Sequence, residues 1–284
     1  MIPSNRLPGP IMFSKLRFTL LFPLAALLAC GANPTPPSSS PATFDLSGDW
    51  LAIAPSGPGL PLTLPTPVAE FSGALQFNGN AVTGTFRALA TNYPNPCVSI
   101  LQDLQVTGTL DASNNLSLTI PISGGTATIA APLQNAYTYF NNGTWQITGG
   151  VCAMASTQIT MAHIAPVTGT YSGTFNVLNL TTVTIEPGTA TTITAVLAQS
   201  TTPNADGQFP LTGTITATGA CSGTFPLVNE VVSGGSITLS PPLTGSSTEI
   251  FDGAVEPTGT YIVGAFLPLN ACGSQDFSGT LTRQ

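Results

Sequence analysis

Charge is what this sequence lacks most. Only 6% of its 284 residues are charged, whereas a typical soluble domain has about 25%. Three of the five basic residues lie before residue 18, and only Arg87 and Arg283 follow, against twelve acidic residues. Because nucleic acids and anionic headgroups are bound through clustered Lys and Arg, the composition excludes both as electrostatic partners.

Groups that could carry catalysis are also scarce. His163 is the only histidine, so neither a multi-histidine metal site nor two-histidine acid–base catalysis is available. We interpret His163 as a structural residue near the end of a strand at a domain junction. Residues 219–223, GACSG, look like a nucleophile elbow, but a strand that breaks at Pro226 is predicted next, where the elbow needs a helix.

We therefore expect a protein that is not an enzyme, with no catalytic residues, no metal and no cofactor. The acidic residues are scattered singly along the chain. A hydrolase built on two carboxylates stays open as an alternative, because the separation of two carboxyl groups cannot be read from sequence.

Long hydrophobic runs are absent apart from one near the N-terminus. After Met12 and a short cationic stretch, an apolar run of eleven residues extends from Phe18 to Leu28. This order is typical of an export signal. As a helix the run would rise about 16 Å, roughly half of a bilayer core, which is too short for a permanent span. We predict a signal peptide over residues 1–29, with Met12 as an alternative start.

The junction after this run resembles the bacterial lipobox. It reads LLAC at residues 27–30. The resemblance implies cleavage before Cys30 and attachment to the membrane through a lipid such as palmitate on that cysteine. Gly31, where other lipoproteins carry Asp for inner-membrane retention, implies delivery to the outer membrane, on either its periplasmic or its surface side. Residues 30–43 would then form a Pro- and Ser-rich tether.

The rest of the chain is typical of an all-β protein. Short segments with alternating apolar residues are bounded by Gly, Asn and Pro at about ten-residue spacing, which indicates strands and turns. The predicted strands include Phe71–Phe77, Val82–Phe86, Leu116–Ile120, Thr126–Ala130, Ser236–Leu239 and Phe277–Leu281. A motif of Ser or Thr followed by Gly recurs in them. Glycine at a fixed place in a strand favours strong curvature, so we predict barrels, with β-sandwiches as the alternative.

The body is also duplicated. LSGDW at 46–50 and VTGTY at 167–171 lie 121 residues apart, and other landmarks keep nearly the same offset. We predict two homologous β domains of about 120 residues each, over residues 44–165 and 166–284.

Five cysteines leave an odd number for pairing. If Cys30 carries the lipid, each repeat keeps two. In an exported protein the economical pairing is Cys97 with Cys152 and Cys221 with Cys272. The alternative is that some or all of the four are reduced core residues.

The start of each repeat resembles the first strand of lipocalin- and avidin-type barrels. The residues concerned are Gly48-Asp49-Trp50 and Gly169-Thr170-Tyr171. The resemblance implies up-and-down barrels whose floors are closed by Trp50 and Tyr171, with Arg283 of the last strand against Tyr171. The first repeat departs from this pattern, because its closing strand offers only His163. The resemblance also implies, as an alternative function, a carrier with a cavity for a small apolar ligand.

Two loops combine aromatic and amide side chains. They are TNYPNP at 91–96 and NAYTYFNNG at 135–143, with Tyr93, Tyr137 and Tyr139. Such surfaces bind sugars or peptides, although the same side chains could pack beneath the loops. The sequence thus favours a non-enzymatic envelope lipoprotein acting as a binding or structural module. A ligand carrier and a carbohydrate-binding module are its alternatives.

Overall fold

A computed structural model gives the fold of the chain. It describes residues 46–54, 69–91, 98–99, 101–133, 139–150, 153–179, 184–219, 222–239, 251–266 and 276–284. Those residues form sixteen β-strands. No helix within them is long and apolar enough to cross a membrane.

The first eight strands close into a barrel. They are β1 (Gly48–Ala54), β2 (Ala69–Asn78), β3 (Ala81–Thr91), β4 (Asp103–Leu110), β5 (Asn115–Ile122), β6 (Gly125–Pro132), β7 (Tyr139–Thr148) and β8 (Met154–Ile164). Each strand pairs antiparallel with the next, and β8 pairs back onto β1 with His163 opposite Trp50. We call this structure barrel 1.

The next eight strands repeat the arrangement as barrel 2. They are β9 (Gly169–Asn179), β10 (Thr184–Gln199), β11 (Phe209–Gly219), β12 (Gly223–Ser233), β13 (Ser236–Leu239), β14 (Phe251–Val255), β15 (Tyr261–Phe266) and β16 (Asp276–Arg283). Here β16 closes onto β9 with Arg283 opposite Tyr171. The prediction of two tandem barrels is confirmed, and all six predicted strand segments lie within strands.

Alternating side chains build the two interiors. In β5 every second residue is buried, from Leu116 to Ile122, and the residues between are exposed. Such alternation points one face of each strand inward. The largest fully buried side chains are aromatic and come from both barrels: Trp50, Phe71, Phe86, Phe140, Trp145, Tyr171, Phe175, Phe251, Phe266 and Phe277. Burying each such side chain stabilises the fold by about 1.5–3 kcal/mol.

Two of the motif glycines lie where neighbouring backbones come close. A Cβ at Gly84 would lie 2.1 Å from the carbonyl oxygen of Ala74, and one at Gly213 would lie 1.9 Å from that of Val196. Gly213 also has φ of +148°, which L side chains rarely adopt. The strands therefore need glycine at these positions.

The prediction that a strand ends at Pro226 is wrong, because β12 continues to Ser233. Pro226 lies opposite Thr214 of β11, whereas the pairs described with β13 involve only residues 231–233. Proline is tolerated in a strand that lacks a second partner at that point. The segment after GACSG is nonetheless a strand and not the helix that a nucleophile elbow needs.

Candidate functional site

The two barrels lie in one compact unit and contact each other along a surface that we call the seam. From barrel 1 the seam takes residues of β1, β2 and β3. From barrel 2 it takes the β12–β13 turn at Gly234-Gly235 and the β10–β11 connection, residues 200–208. The seam is the candidate site because it holds buried polar groups and borders two cavities.

The β12–β13 turn needs glycine for its backbone conformation and for its close contact with barrel 1. Gly234 and Gly235 have φ of +58° and +78°, as in the two-residue hairpin turns that favour Gly-Gly. The N–H of Gly234 donates to Oδ1 of Asp49 in barrel 1 at 2.7 Å. A Cβ at Gly234 would lie 2.2 Å from Cβ of Ser72. The turn therefore packs against barrel 1 with no room for a side chain.

A second buried polar contact lies beside this turn. The hydroxyl oxygens of Ser72 in β2 and Ser233 in β12 are 2.7 Å apart, and both residues are buried. Since each hydroxyl can donate as well as accept, the pair satisfies a donor and an acceptor without bringing charge into the seam.

Asp49 is the most unusual group in the seam. The residue is 1% exposed, and its second carboxyl oxygen, Oδ2, has no hydrogen-bond partner among the described residues. Burial raises the pKa of Asp49 to about 7, although the backbone amides of Gly234, Gly235 and Trp50 act in the opposite direction. Desolvation disfavours the charged form of a carboxyl group. This carboxyl therefore changes its charge near neutral pH.

A charged contact forms the exposed edge of the seam. Arg87 of β3 donates to both carboxyl oxygens of Asp103, at 2.7 and 3.0 Å. A terminal nitrogen of its guanidinium also lies 3.2 Å from Asp206 of barrel 2. Asp206 belongs to a turn at residues 204–207, in which the Gly207 N–H donates to the Asn204 carbonyl. Arg87 thus links the barrels electrostatically.

Two cavities border the seam, and we call the larger one the cleft. The cleft has a volume of about 330 Å³, and the smaller cavity has about 220 Å³ and includes Asp49, His163 and Phe209 in its lining. Amide and hydroxyl side chains predominate in the cleft: Gln76, Thr83, Thr85, Gln105, Thr202 and Asn204. Such groups both donate and accept, so the cleft suits a neutral, hydrogen-bonding ligand.

The predicted floor residues lie together in each barrel. The Trp50 indole N–H donates to the Leu46 carbonyl at 2.9 Å, and the Trp50 ring centroid lies 5.1 Å from that of His163. In barrel 2 the Tyr171 hydroxyl donates to the Gly259 carbonyl at 2.8 Å. Burial raises the pKa of Tyr171, and the charge of Arg283 opposes that shift. His163 therefore lies in barrel 1 where Arg283 lies in barrel 2.

Asp49 and His163 both line the smaller cavity but belong to opposite faces of the β1–β8 sheet. His163 lies opposite Trp50 in the β1–β8 register, and Trp50 is buried in the core of barrel 1. Adjacent residues of a strand point to opposite faces. Asp49 therefore points outward to barrel 2, while His163 lies on the Trp50 side of the sheet.

Several predicted site residues lie outside the described part of the chain. They are Cys30, Cys97, Cys152, Cys221, Cys272, Tyr93 and Tyr137, and of Tyr139 only the backbone, in β7, is described. The lipid attachment, the disulfides and the tyrosine surface thus stay predictions.

The role of Asp49 was not evident from the sequence. The available signal was that the first repeat has an acidic residue where the second has Thr170. An acid next to the inward-pointing Trp50 must lie on the outer face of its strand, yet sequence alone does not show that barrel 2 covers this face.

Comparison with protein-family models, with curated proteins and with solved structures finds no match to this chain. Among the described residues, no group of three or more His, Cys, Asp and Glu side chains is placed to hold a metal ion.

Proposed function

We propose that this chain is a non-enzymatic lipoprotein of the bacterial outer membrane whose double barrel serves as a binding or structural module. The observation that carries the proposal is the union of two packed barrels by buried seam contacts, which makes a body able to present a fixed surface. The lipobox-like residues 27–30 support anchoring through Cys30. Disulfides Cys97–Cys152 and Cys221–Cys272 complete the proposal, since they suit an exported chain.

The interior packing favours a module over a ligand carrier. Carriers of the lipocalin type hold their ligand inside the barrel. In both barrels large aromatic side chains occupy part of the interior, such as Trp145 in barrel 1 and Phe251 in barrel 2, each with no exposed surface. An apolar ligand would have to displace these side chains, which disfavours the carrier.

Membrane fractionation tests the anchor. Expressed in a bacterium with a lipoprotein pathway, the unmodified chain is expected in the outer-membrane fraction, resistant to high salt and released by detergent. Cys30→Ser removes the acyl acceptor and should move the chain out of that fraction. Gly31→Asp is the matched control, because lipidation persists while the sorting residue changes to the inner-membrane type. A Cys30→Ser chain that stays in the outer membrane would contradict the anchor.

A second candidate function, glycan binding in the cleft, is favoured by the amide and hydroxyl lining. Gln105 is held in place there, since its amide nitrogen donates to the Thr85 hydroxyl at 3.2 Å. Paired hydrogen bonds from amides are suited to sugar hydroxyls. Tyr93, Tyr137 and Tyr139 are the alternative binding surface.

A glycan array compares the two surfaces. If the cleft binds, Gln76→Ala and Gln105→Ala each abolish retention, whereas Gln146→Ala, an exposed glutamine on β7, leaves it unchanged. If retention is lost in Tyr137→Ala but kept in Gln76→Ala and Gln105→Ala, the glycan binds at the tyrosine loops. No retention of the unmodified chain would reject glycan binding.

A further inference from the structure

Asp49 is a buried titratable group that neither proposed function uses. Its carboxyl lies between the barrels, with Oδ1 bound to the Gly234 N–H of barrel 2 and Oδ2 without a hydrogen-bond partner among the described residues. A buried carboxylate needs either a cation or several donors to offset its lost hydration. Asp49 has backbone amides only.

The elements around the seam offer Asp49 no compensating cation. Their other titratable groups are Glu70 on β2, Arg87 on β3, His163 on β8, Glu230 on β12 and Asp206 on the β10–β11 connection. The two that could be cationic are Arg87 and His163. Arg87 binds Asp103 and Asp206, and His163 lies on the Trp50 side of the sheet.

Of the three other acidic groups, Asp206 binds Arg87, and Glu70 and Glu230 lie away from the turn that touches Asp49. Glu70 is opposite Ile53, near the far end of β1, and Glu230 is opposite Leu211, three residues before Ser233. Burial and the backbone amides alone therefore account for the pKa of Asp49 near 7.

We propose that Asp49 is a proton-controlled contact between the barrels: the neutral carboxyl stays buried against the Gly234-Gly235 turn, and the carboxylate left when the proton departs loosens the seam because the backbone amides replace only part of the hydration it needs. Each barrel is closed by its own hydrogen bonds. The least costly way to hydrate the new charge is therefore to admit water between the barrels and not into them.

The direction of the pH effect follows from proton linkage. An unfolded chain releases the Asp49 proton near its ordinary pKa of about 4, while the folded chain keeps it up to about 7. Between these values the folded state binds more protons, so its stability falls as the pH rises. Above about pH 7 both states are ionised and this contribution to the pH dependence ends.

Denaturant unfolding of the full chain at several pH values tests the proposal. For two-state unfolding, linkage predicts that the Asp49 contribution raises the unfolding constant about 100-fold between about pH 5 and pH 8. Asp49→Asn keeps the shape of the side chain but cannot ionise, so it should remove this rise in the unfolding constant. Asp111→Asn, in an exposed turn of barrel 1, should keep the profile of the unmodified chain. Parallel profiles for the unmodified chain and Asp49→Asn would overturn the proposal.

Two further measurements keep the proposal testable if Asp49→Asn does not fold. Asp49→Thr introduces the residue that the second repeat has at the equivalent position, and it should also flatten the profile. In the unmodified chain, NMR should show the Asp49 carboxyl titrating near pH 7, with protection of the Gly234 amide from exchange falling over the same range. Titration near pH 4, or protection that does not change, would overturn it.

Discussion

The β4–β5 turn of barrel 1 and the β12–β13 turn of barrel 2 join the same pair of strands in the two repeats, yet they are built differently. The first is exposed and relies on Asp111, whose Oδ1 accepts from the N–H groups of Ser113 and Asn115 at 2.8 Å each. The second is Gly234-Gly235, buried against Asp49 of the other barrel.

This difference separates local from tertiary control of a turn. An exposed turn is stabilised by its own side chains, because Asp and Asn can bond their neighbouring backbone. A turn that packs closely against another domain instead needs glycine, because a side chain would occupy the space of the contact. The repeats therefore share a fold while only one of these two turns supports the seam.

The largest expected effect compares the barrel floors. Trp50→Ala and Tyr171→Ala each remove a fully buried aromatic side chain together with its hydrogen bond. Each should lower the free energy of unfolding by about 3–5 kcal/mol, measured by denaturant unfolding. A loss below about 1 kcal/mol for either residue would show that its barrel does not depend on the floor aromatic.

The next largest effect is expected at a turn glycine, and it can be compared with that at a second turn glycine of nearly the same φ. Gly234 and Gly79 have φ of +58° and +60°, but only Gly234 has neighbours where a Cβ would go. Gly79→Ala should cost about 1 kcal/mol for the backbone alone. Gly234→Ala should cost about 1–3 kcal/mol more, because its methyl group meets Ser72. Equal losses in thermal and denaturant unfolding would argue against a tightly packed seam.

A smaller effect tests the barrel 2 floor without changing its volume. Tyr171→Phe keeps the buried ring and removes only the hydroxyl that donates to the Gly259 carbonyl. We expect a loss of about 1 kcal/mol in the free energy of unfolding, and more if the carbonyl is left unpaired. Phe140 is a buried residue of barrel 1 whose ring contacts Trp50. Phe140→Leu removes ring packing without removing a hydrogen bond, so it serves as the control for a loss of packing alone. An unchanged stability in Tyr171→Phe would rule out a contribution from the hydroxyl.

The smallest effect compares the two carboxylates that bind Arg87. Asp103 forms a two-point contact within barrel 1, and Asp206 forms a single contact across the seam. Because both pairs are partly exposed, Asp103→Asn should cost up to about 1 kcal/mol and Asp206→Asn less. Both losses should shrink at high salt. A larger loss for Asp206→Asn would mean that the charged edge contributes more to the seam than its geometry suggests.

The fold was predictable because its signals are local. Alternating residues such as Leu116, Leu118 and Ile120 mark a strand face within a few positions, and the repeated offset of 121 residues marks two copies of one barrel. The turn at 204–207 carried its own turn residues. The strand and turn signals depend on neighbours in sequence, and the repeat is found by comparing the two halves of the chain.

The candidate site was predictable only in part. Sequence identified Trp50, Tyr171 and Arg283 and named His163 as what the closing strand of the first repeat offers, but the β1–β8 register was needed to place His163 opposite Trp50. The contact of Asp49 with Gly234 joins residues 185 apart. It depends on how one barrel lies on the other, and so does the pKa of Asp49.

Intact mass measurement of the chain purified from the cell envelope tests the central claim most directly. A lipid-anchored double barrel predicts a polypeptide that begins at Cys30, carries the mass of acyl groups and has its other four cysteines oxidised. An uncleaved chain recovered from the cytosol, unacylated and with all five thiols free, would contradict the account.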